Sequence, residues 1–459
     1  MRRRASGSTT CSRTSRNSCT GRGIASTTSN SNGCAVRSPG ATPTKGPPRL
    51  RRTRPAPTMR EIDLREYARS ESHRLSPAER DALAKIVTIE PAAGEMDAYH
   101  LTPGSTVGAL EIGDLSVRIQ PKIGIPQLLS LACYAIGKVK FQETDFDFPE
   151  HTALPDALAA ALVAAARRAF GRGLLHGYRT EEEALHTVRG RIMVAEQIRR
   201  RFDLLLPVEV RYDDFTDDIL ANQLVKAAAT RLAALRLRSR ETQRSLGWVA
   251  ATLDNVSLIE FASKDVPKVE FDRLNAHYRE VVELSRLILR HGAFEAERGG
   301  IRAAGFLMDM NVVFQEFVTV ALREELKASE REFPSDRRLP HRISLDEGGQ
   351  VGLEPDLSWW DGAACTFIGD AKYKRRVDND DLYQVLAYAT ALDLPGALLI
   401  YPQDGVTPAA YQVRHAGKRL EVASVDLSGT IDAVLESIGA LAERVRALRA
   451  ESRRVERAA

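Results

Sequence analysis

A break in composition at Met59 limits what this chain can fold into more than any other feature. Residues 1–58 hold twelve Lys and Arg and no Asp or Glu, set among Ser, Thr, Gly and Pro. Large apolar side chains are almost missing there, so the segment cannot bury enough surface to offset its chain entropy. It is expected to be disordered. It lacks the apolar stretch of a secretory signal. An Arg/Ser-rich, acid-free leader has the look of an organellar transit peptide. The alternative is a start assigned too early, with translation beginning at Met59. The abrupt change to MREIDLREYARS, which alternates apolar and charged residues, favours the second reading. Folding is left to residues 59–459.

The formal charge of +4 conceals the same break. Removing the twelve basic residues of the leader from the total of 65 leaves 53 against 61 acidic ones, a net of −8. The basic pI therefore says nothing about nucleic-acid binding by the body. The longest apolar run, Ala157–Ala166, is half of what a bilayer span needs, which excludes a membrane protein. Beyond Met59 only Cys133 and Cys365 remain, too few and too far apart for a disulfide framework or a CxxC zinc site. A reducing cytoplasm is the expected compartment.

Along the body, residues 59 to about 146 read as short strands and turns with one helix, Pro77–Ala84. The clearest hairpin joins Val107–Ile112 to Leu115–Ile119 through Gly113-Asp114. Helical or mixed patterns follow at Leu158–Leu175 and Glu181–Arg201, with helices at Asp217–Leu235 and Leu274–Arg290. From Gly305 the texture is α/β: a helix at Met308–Leu326, strands near Val351–Trp360 and Cys365–Tyr373, and a helix at Asp380–Leu392. A buried strand at Ala397–Tyr401 and two edge strands precede a closing helix. That helix carries Ile431, Val434, Leu435, Ile438, Leu441, Val445 and Leu448 on one stripe. No GxxxxGK[ST] loop is present and Gly171-Arg-Gly173 fits no dinucleotide fingerprint, so no nucleotide is expected to bind this chain itself.

The chemistry concentrates in Glu354-Pro355-Asp356, thirteen further residues, and Asp370-Ala371-Lys372-Tyr373-Lys374. Two carboxylates can hold a hard divalent cation such as Mg²⁺, which polarises a phosphate and lowers the pKa of a bound water. Asp370 and Lys372 lie two apart on a strand and share a face, where the ammonium can orient water or offset developing negative charge. Alone, a D-x-K is more commonly a surface ion pair on a strand. Gln384 and Tyr388, at i and i+4, put an amide and a phenol on one face of the next helix. Glu316, within the apolar run Val312–Val318, is either a helix-surface residue by phase or, the reading slightly favoured, a buried partner of the metal site. Lys374, Arg375 and Arg376 form a local basic patch suited to phosphates.

One parity argument bears on this reading. A two-residue turn at Asp361-Gly362 would pair residues whose numbers sum to 723, leaving Asp356 and Asp370 on opposite faces. A catalytic pair therefore demands an irregular connection, by an odd loop or a β-bulge.

The pattern PD…DAKYK followed by DLYQVLAYA resembles the PD-(D/E)xK nuclease core. In detail it resembles McrC, the nuclease subunit of McrBC-type modification-dependent restriction systems. The likeness includes LEIGDLSVRIQPKIG (Leu110–Gly124), Arg189-Gly190-Arg191-Ile192, Tyr212–Ile219, Asn275–Arg279 and Phe306–Asn311. The resemblance implies an α/β fold in which a mixed central sheet flanked by helices, residues 296–459, follows a β-rich then helical partner-binding region, 59–295. It implies Asp356 and Asp370 as metal ligands, helped by the Ala371 carbonyl, and Lys372 as the catalytic lysine. Gln384 and Tyr388 match the family's helix motif. It further implies a hexameric McrB-like AAA+ GTPase as partner, and double-stranded DNA carrying modified cytosine as substrate. A stand-alone PD-(D/E)xK nuclease and a non-catalytic regulator of an AAA+ ring are the competing readings.

Overall fold

The computed structural model describes residues 59–137, 139, 152–291, 294–298, 301–334 and 342–458. The leader 1–58 lies outside them, as does part of the segment expected to run to Phe146. The chain opens with β1 (Arg60–Arg65), β2 (Ser72–Arg74), α1 (Pro77–Leu83), β3 (Val87–Pro91), β4 (Ala98–Pro103), β5 (Thr106–Ile112) and β6 (Leu115–Gln120). Ser76 caps α1 in a capping box with Glu79, which fixes that helix where the sequence places it. The expected hairpin is β5–β6: Ile112 pairs with Leu115, and Gly113 takes the φ of +58° that such a turn requires.

Helices then dominate: α2 (Ile125–Gly137) and α3 (Leu154–Phe170) precede a three-stranded arm. The arm comprises β7 (Gly177–Leu185), β8 (Arg191–Ile192), α4 (Val194–Arg200) and β9 (Val208–Thr216), with strand order β7-β9-β8. The stretch at 181–201, expected to be helical or mixed, is mixed: the end of β7, then β8, then α4. Next come α5 (Leu220–Ala233), α6 (Arg240–Thr252) and α7 (Arg279–Arg290), then β10 (Phe294–Arg298), β11 (Ile301–Asp309) and α8 (Met310–Leu326).

The division expected at 295/296 does not coincide with a break in pairing. It falls inside β10, and β10 with β11 completes the N-terminal sheet, whose order is β1-β6-β5-β11-β10. The main core is likewise continuous, running from Val107 and α2 through α3, α5, α7 and α8 to Leu448 near the C-terminus.

The remaining elements are β12 (Ile343–Ser344), β13 (Gly352–Leu353), β14 (Leu357–Asp361), β15 (Ala364–Ala371), α9 (Asn379–Ala391), β16 (Gly396–Pro402), β17 (Ala409–Gln412), β18 (Arg419–Val425) and α10 (Ile431–Ala458). The mixed sheet has the order β14-β15-β16-β18-β17, with parallel β15, β16 and β18 at its centre and antiparallel strands at both edges. Both faces are covered, as central parallel strands require. One face packs Phe367, Leu398 and Ile400 against α8 and α10, where the predicted stripe of α10 is buried or half-buried. The other packs Ile368, Leu399 and Tyr401 against Val385, Tyr388 and Ala389 of α9.

Candidate active site

The hairpin β14–β15 resolves the parity problem. Its turn is Gly362-Ala363, because Asp361 pairs with Ala364, so the first pairs sum to 725 and would put Asp356 level with Gly369. The register then shifts between Trp359 and Trp360, and Thr366 becomes the extra residue. Beyond this bulge Leu357 pairs with Gly369, and the next position sets Asp356 level with Asp370. The Thr366 hydroxyl donates to the Trp359 carbonyl at 3.1 Å, which ties down the bulge. One inserted residue thus brings both carboxylates to the α9 face.

The two acids are tied reciprocally through the backbone. Asp356 N–H donates to Asp370 Oδ1, and Ala371 N–H donates to Asp356 Oδ2, both at 3.3 Å. Asp370 is 1% exposed, and its Oδ2 accepts no hydrogen bond among the described residues; its close contact is the Lys372 ammonium. Burial, reinforced by the negative charge of Asp370, pushes the Asp356 carboxyl up to about 8. At neutral pH the pair therefore keeps a proton even with the Lys372 ammonium beside it. Two buried carboxylates, with Asp370 Oδ2 engaged only by the Lys372 ammonium among the described residues, beside a backbone carbonyl at Ala371, suit a hard divalent ion. Among the described residues no group of three or more His, Cys, Asp and Glu forms a metal cluster, so any ion here would rely on this smaller set.

The helix motif divides into two roles. Tyr388 is buried, and its hydroxyl donates to the Glu354 carbonyl at 3.2 Å, steadying the strand that leads into Asp356. Burial, with the charges of Asp370 and Asp356, holds its phenol well above the usual range. Gln384, one turn earlier, is exposed beside it.

Two expected members stand elsewhere. Glu316 lies on α8 and pairs with Arg290 at the end of α7, at 2.6 Å. It sits about 200° around the helix from Phe314, whose ring meets Tyr373 of the D-x-K segment. Glu316 therefore faces away from the carboxylates and lines a separate cavity with Arg286, Arg290 and Arg323. Lys374 is also committed: its ammonium meets Asp378 at 3.1 Å and Asp381 at 2.9 Å, and Tyr401 donates to Asp381. Arg375 pairs with Asp404 and Arg376 with Asp378, so the basic patch is largely offset by acids.

A second surface stands out. The arm exposes Tyr178, Ile192, Val194, Ile198, Phe202 and Leu205, the last two at 81% and 90%. The Arg189–Ile192 and Tyr212–Ile219 motifs meet here. The Arg189 guanidinium lies 4.1 Å from the Tyr212 ring centre, and a Cβ on Gly190 would fall 2.4 Å from the Arg211 carbonyl oxygen. Both motifs therefore shape the arm, a role their spacing did not reveal.

A family profile described as McrBC 5-methylcytosine restriction system component matches residues 101–402. The chain belongs to that family. No curated protein sequence matches it. Among solved structures, one chain of a refined half-complex, from a tetradecameric assembly of Thermococcus gammatolerans McrB AAA+ hexamers with bound McrC, is similar in fold. It covers 84% of this McrBC-family chain and 100% of its own, at 16% identity and a TM-score of 0.50. A chain of the cryo-EM structure of the Thermococcus gammatolerans McrBC complex matches 59% of this chain and 89% of its own, at 18% identity and a TM-score of 0.38. Among the described residues no helix is long and apolar enough to cross a membrane.

Proposed function

We propose that this McrBC-family chain is the DNA endonuclease subunit of a modified-cytosine-dependent restriction system, built on a PD-(D/E)xK core. The observation that carries the proposal is the bulge between Trp359 and Trp360, which sets Asp356 level with Asp370 while Lys372 contacts the latter. An irregularity that serves only to align two repelling carboxylates makes little sense in a strand selected for stability.

Asp356, Asp370 and the Ala371 carbonyl would hold Mg²⁺ or a similar cation. When bound, such an ion polarises the phosphate and makes water a better nucleophile. Lys372 would orient that water or offset the negative charge that grows on the phosphate. Tyr388 keeps the Pro-Asp strand in place through Glu354, and exposed Gln384 can reach the DNA backbone.

Recognition and translocation of DNA would fall to an AAA+ GTPase hexamer. The match to a 5-methylcytosine restriction component and the fold likeness to a chain from an McrB–McrC assembly support this. So does the apolar arm, a docking surface of the kind a monomer seldom leaves bare.

The test is cleavage of methylated and unmethylated plasmid by the chain, with and without an McrB-like AAA+ GTPase. Cutting should require the partner, GTP, Mg²⁺ and methylated DNA together. Robust cutting by the chain alone without nucleotide would instead mark a stand-alone nuclease.

A further inference from the structure

Lys372 lies one residue beyond the end of β15, where the sheet alone no longer fixes its direction. Its N–H donates to the Ile400 carbonyl at 2.8 Å on one side. The rest of its support comes through the next residue. Tyr373 is fully buried on the opposite face, and three residues from the far end of the sequence converge on it. The Tyr67 hydroxyl donates to the Tyr373 carbonyl at 2.9 Å. The Lys122 ammonium lies 3.9 Å from the centre of the Tyr373 ring and 5.7 Å from that of Tyr67. Glu66, 4% exposed, accepts from the Lys122 backbone N–H at 3.0 Å.

These residues cap neighbouring parallel strands: Glu66 and Tyr67 follow β1, and Lys122 follows β6. Tyr67 adopts φ of +56°, a left-handed conformation costly for a residue with a side chain, and this places its hydroxyl on Tyr373. Lys122 Nζ, Glu66 Oε1 and the Tyr373 hydroxyl are buried without a hydrogen bond of ordinary geometry among the described residues, although the Glu66 carboxylate and the Tyr373 hydroxyl face each other. Burial pushes the Glu66 carboxyl up and the Lys122 ammonium down, and each charge partly restores the other. A junction built for stability alone would be better served by apolar side chains of similar volume. A desolvated cation on an aromatic face, by contrast, fixes the ring in place and direction.

We infer that Lys122, braced by Glu66 and Tyr67, is a positioning residue for Lys372: its ammonium grips the Tyr373 ring and so sets where the D-x-K lysine points. The inference rests on the endonuclease reading. Sub-ångström control of a group that meets the reacting phosphate is what a supporting layer of this kind provides.

The experiment uses the full chain reconstituted with its AAA+ partner. It compares wild type, Lys122→Met, Lys122→Arg, Tyr67→Phe and Asp370→Asn. Lys122→Met keeps the stem but removes the charge. It should lower kcat for DNA cleavage by about tenfold or more, with KM for DNA unchanged. The partner's GTP turnover and the chain's thermal midpoint should stay near wild type. Lys122→Arg keeps a cation over the ring and should restore most of kcat. Tyr67→Phe deletes a single hydroxyl and should lower kcat in the same direction, which decides the matter if Lys122→Met does not fold. Wild-type kcat in Tyr67→Phe, together with wild-type kcat or misfolding in Lys122→Met, overturns the inference. So does a kcat loss that Lys122→Arg fails to rescue and that GTP turnover and thermal midpoint share. If the wild-type complex does not cut, or cuts as well with Asp370→Asn, the endonuclease reading itself falls.

Discussion

Asp356 ionises near 3.8 in an unfolded chain but only near 8 here, through burial and the adjacent Asp370. The folded state thus binds that proton more tightly than the unfolded state does. Without a cation, the contribution to stability is fully present below about pH 4 and is lost as pH climbs towards 8. Cation-free protein should therefore melt at a lower temperature at pH 8.5 than at pH 6, and Asp356→Asn should remove most of that difference. Mg²⁺ should bind more tightly across the same interval, since it competes with the proton. Thermal melts at several pH values check the first point and calorimetric titration the second; a slope that survives Asp356→Asn would place its origin elsewhere. Asp370→Asn keeps the shape and removes the charge, while Lys372→Ala removes the cation that touches Asp370. Each should reduce cleavage by the reconstituted complex at least ~10²-fold, about 3 kcal/mol of barrier. GTP turnover by the partner should persist in both. Cleavage near the wild-type rate in Asp370→Asn would remove the catalytic assignment.

Elements differ in how plainly the sequence announces them. The β5–β6 hairpin has turn residues between β-patterned flanks, and α10 has an apolar stripe at helical spacing; both appear where expected. Helix α2 was missed because Ile125–Gly137 is apolar nearly all round, so burial erases the periodicity that would mark it. The helix expected from Met308 takes in the last two residues of β11, because α8 follows that strand without a gap, starting at Met310 after Asp309 as its N-cap. At the site, the acids and Lys372 were legible from spacing, and the parity argument required the irregularity that Thr366 supplies. Glu66, Tyr67 and Lys122 were not, since their proximity to Tyr373 is created only by tertiary folding. Glu316 was misplaced because an apolar run does not reveal which side of a helix meets the sheet. The arm offers a test at this scale. Phe202→Ser with Leu205→Ser alters two side chains that touch mostly solvent, so the chain should fold as before. Its affinity for the AAA+ partner should fall by about tenfold or more. Unchanged affinity in a pull-down or titration would mean docking occurs elsewhere.

For the whole molecule, the shared core predicts that the C-terminal part is not separable. A fragment of 296–459 would keep the D-x-K hairpin but expose the apolar face that α8 and α10 share with α2. It would also leave β11 without its partner β5. Such a fragment should be insoluble or show no cooperative melt, whereas 59–459 should unfold as one transition; a soluble, cooperatively melting fragment would contradict this. The pairing of Thr106 with Asp309 has a temporal corollary, since the ribosome makes these strands long apart. The first sheet waits for β11. The D-x-K strand emerges after that but before α10, the helix that packs against it. A nascent chain thus carries its reactive residues before their frame is closed, and a product released early would hold Asp356, Asp370 and Lys372 in no fixed relation. On the endonuclease reading proposed above, the site would take its working shape only once α10 has packed against the D-x-K strand.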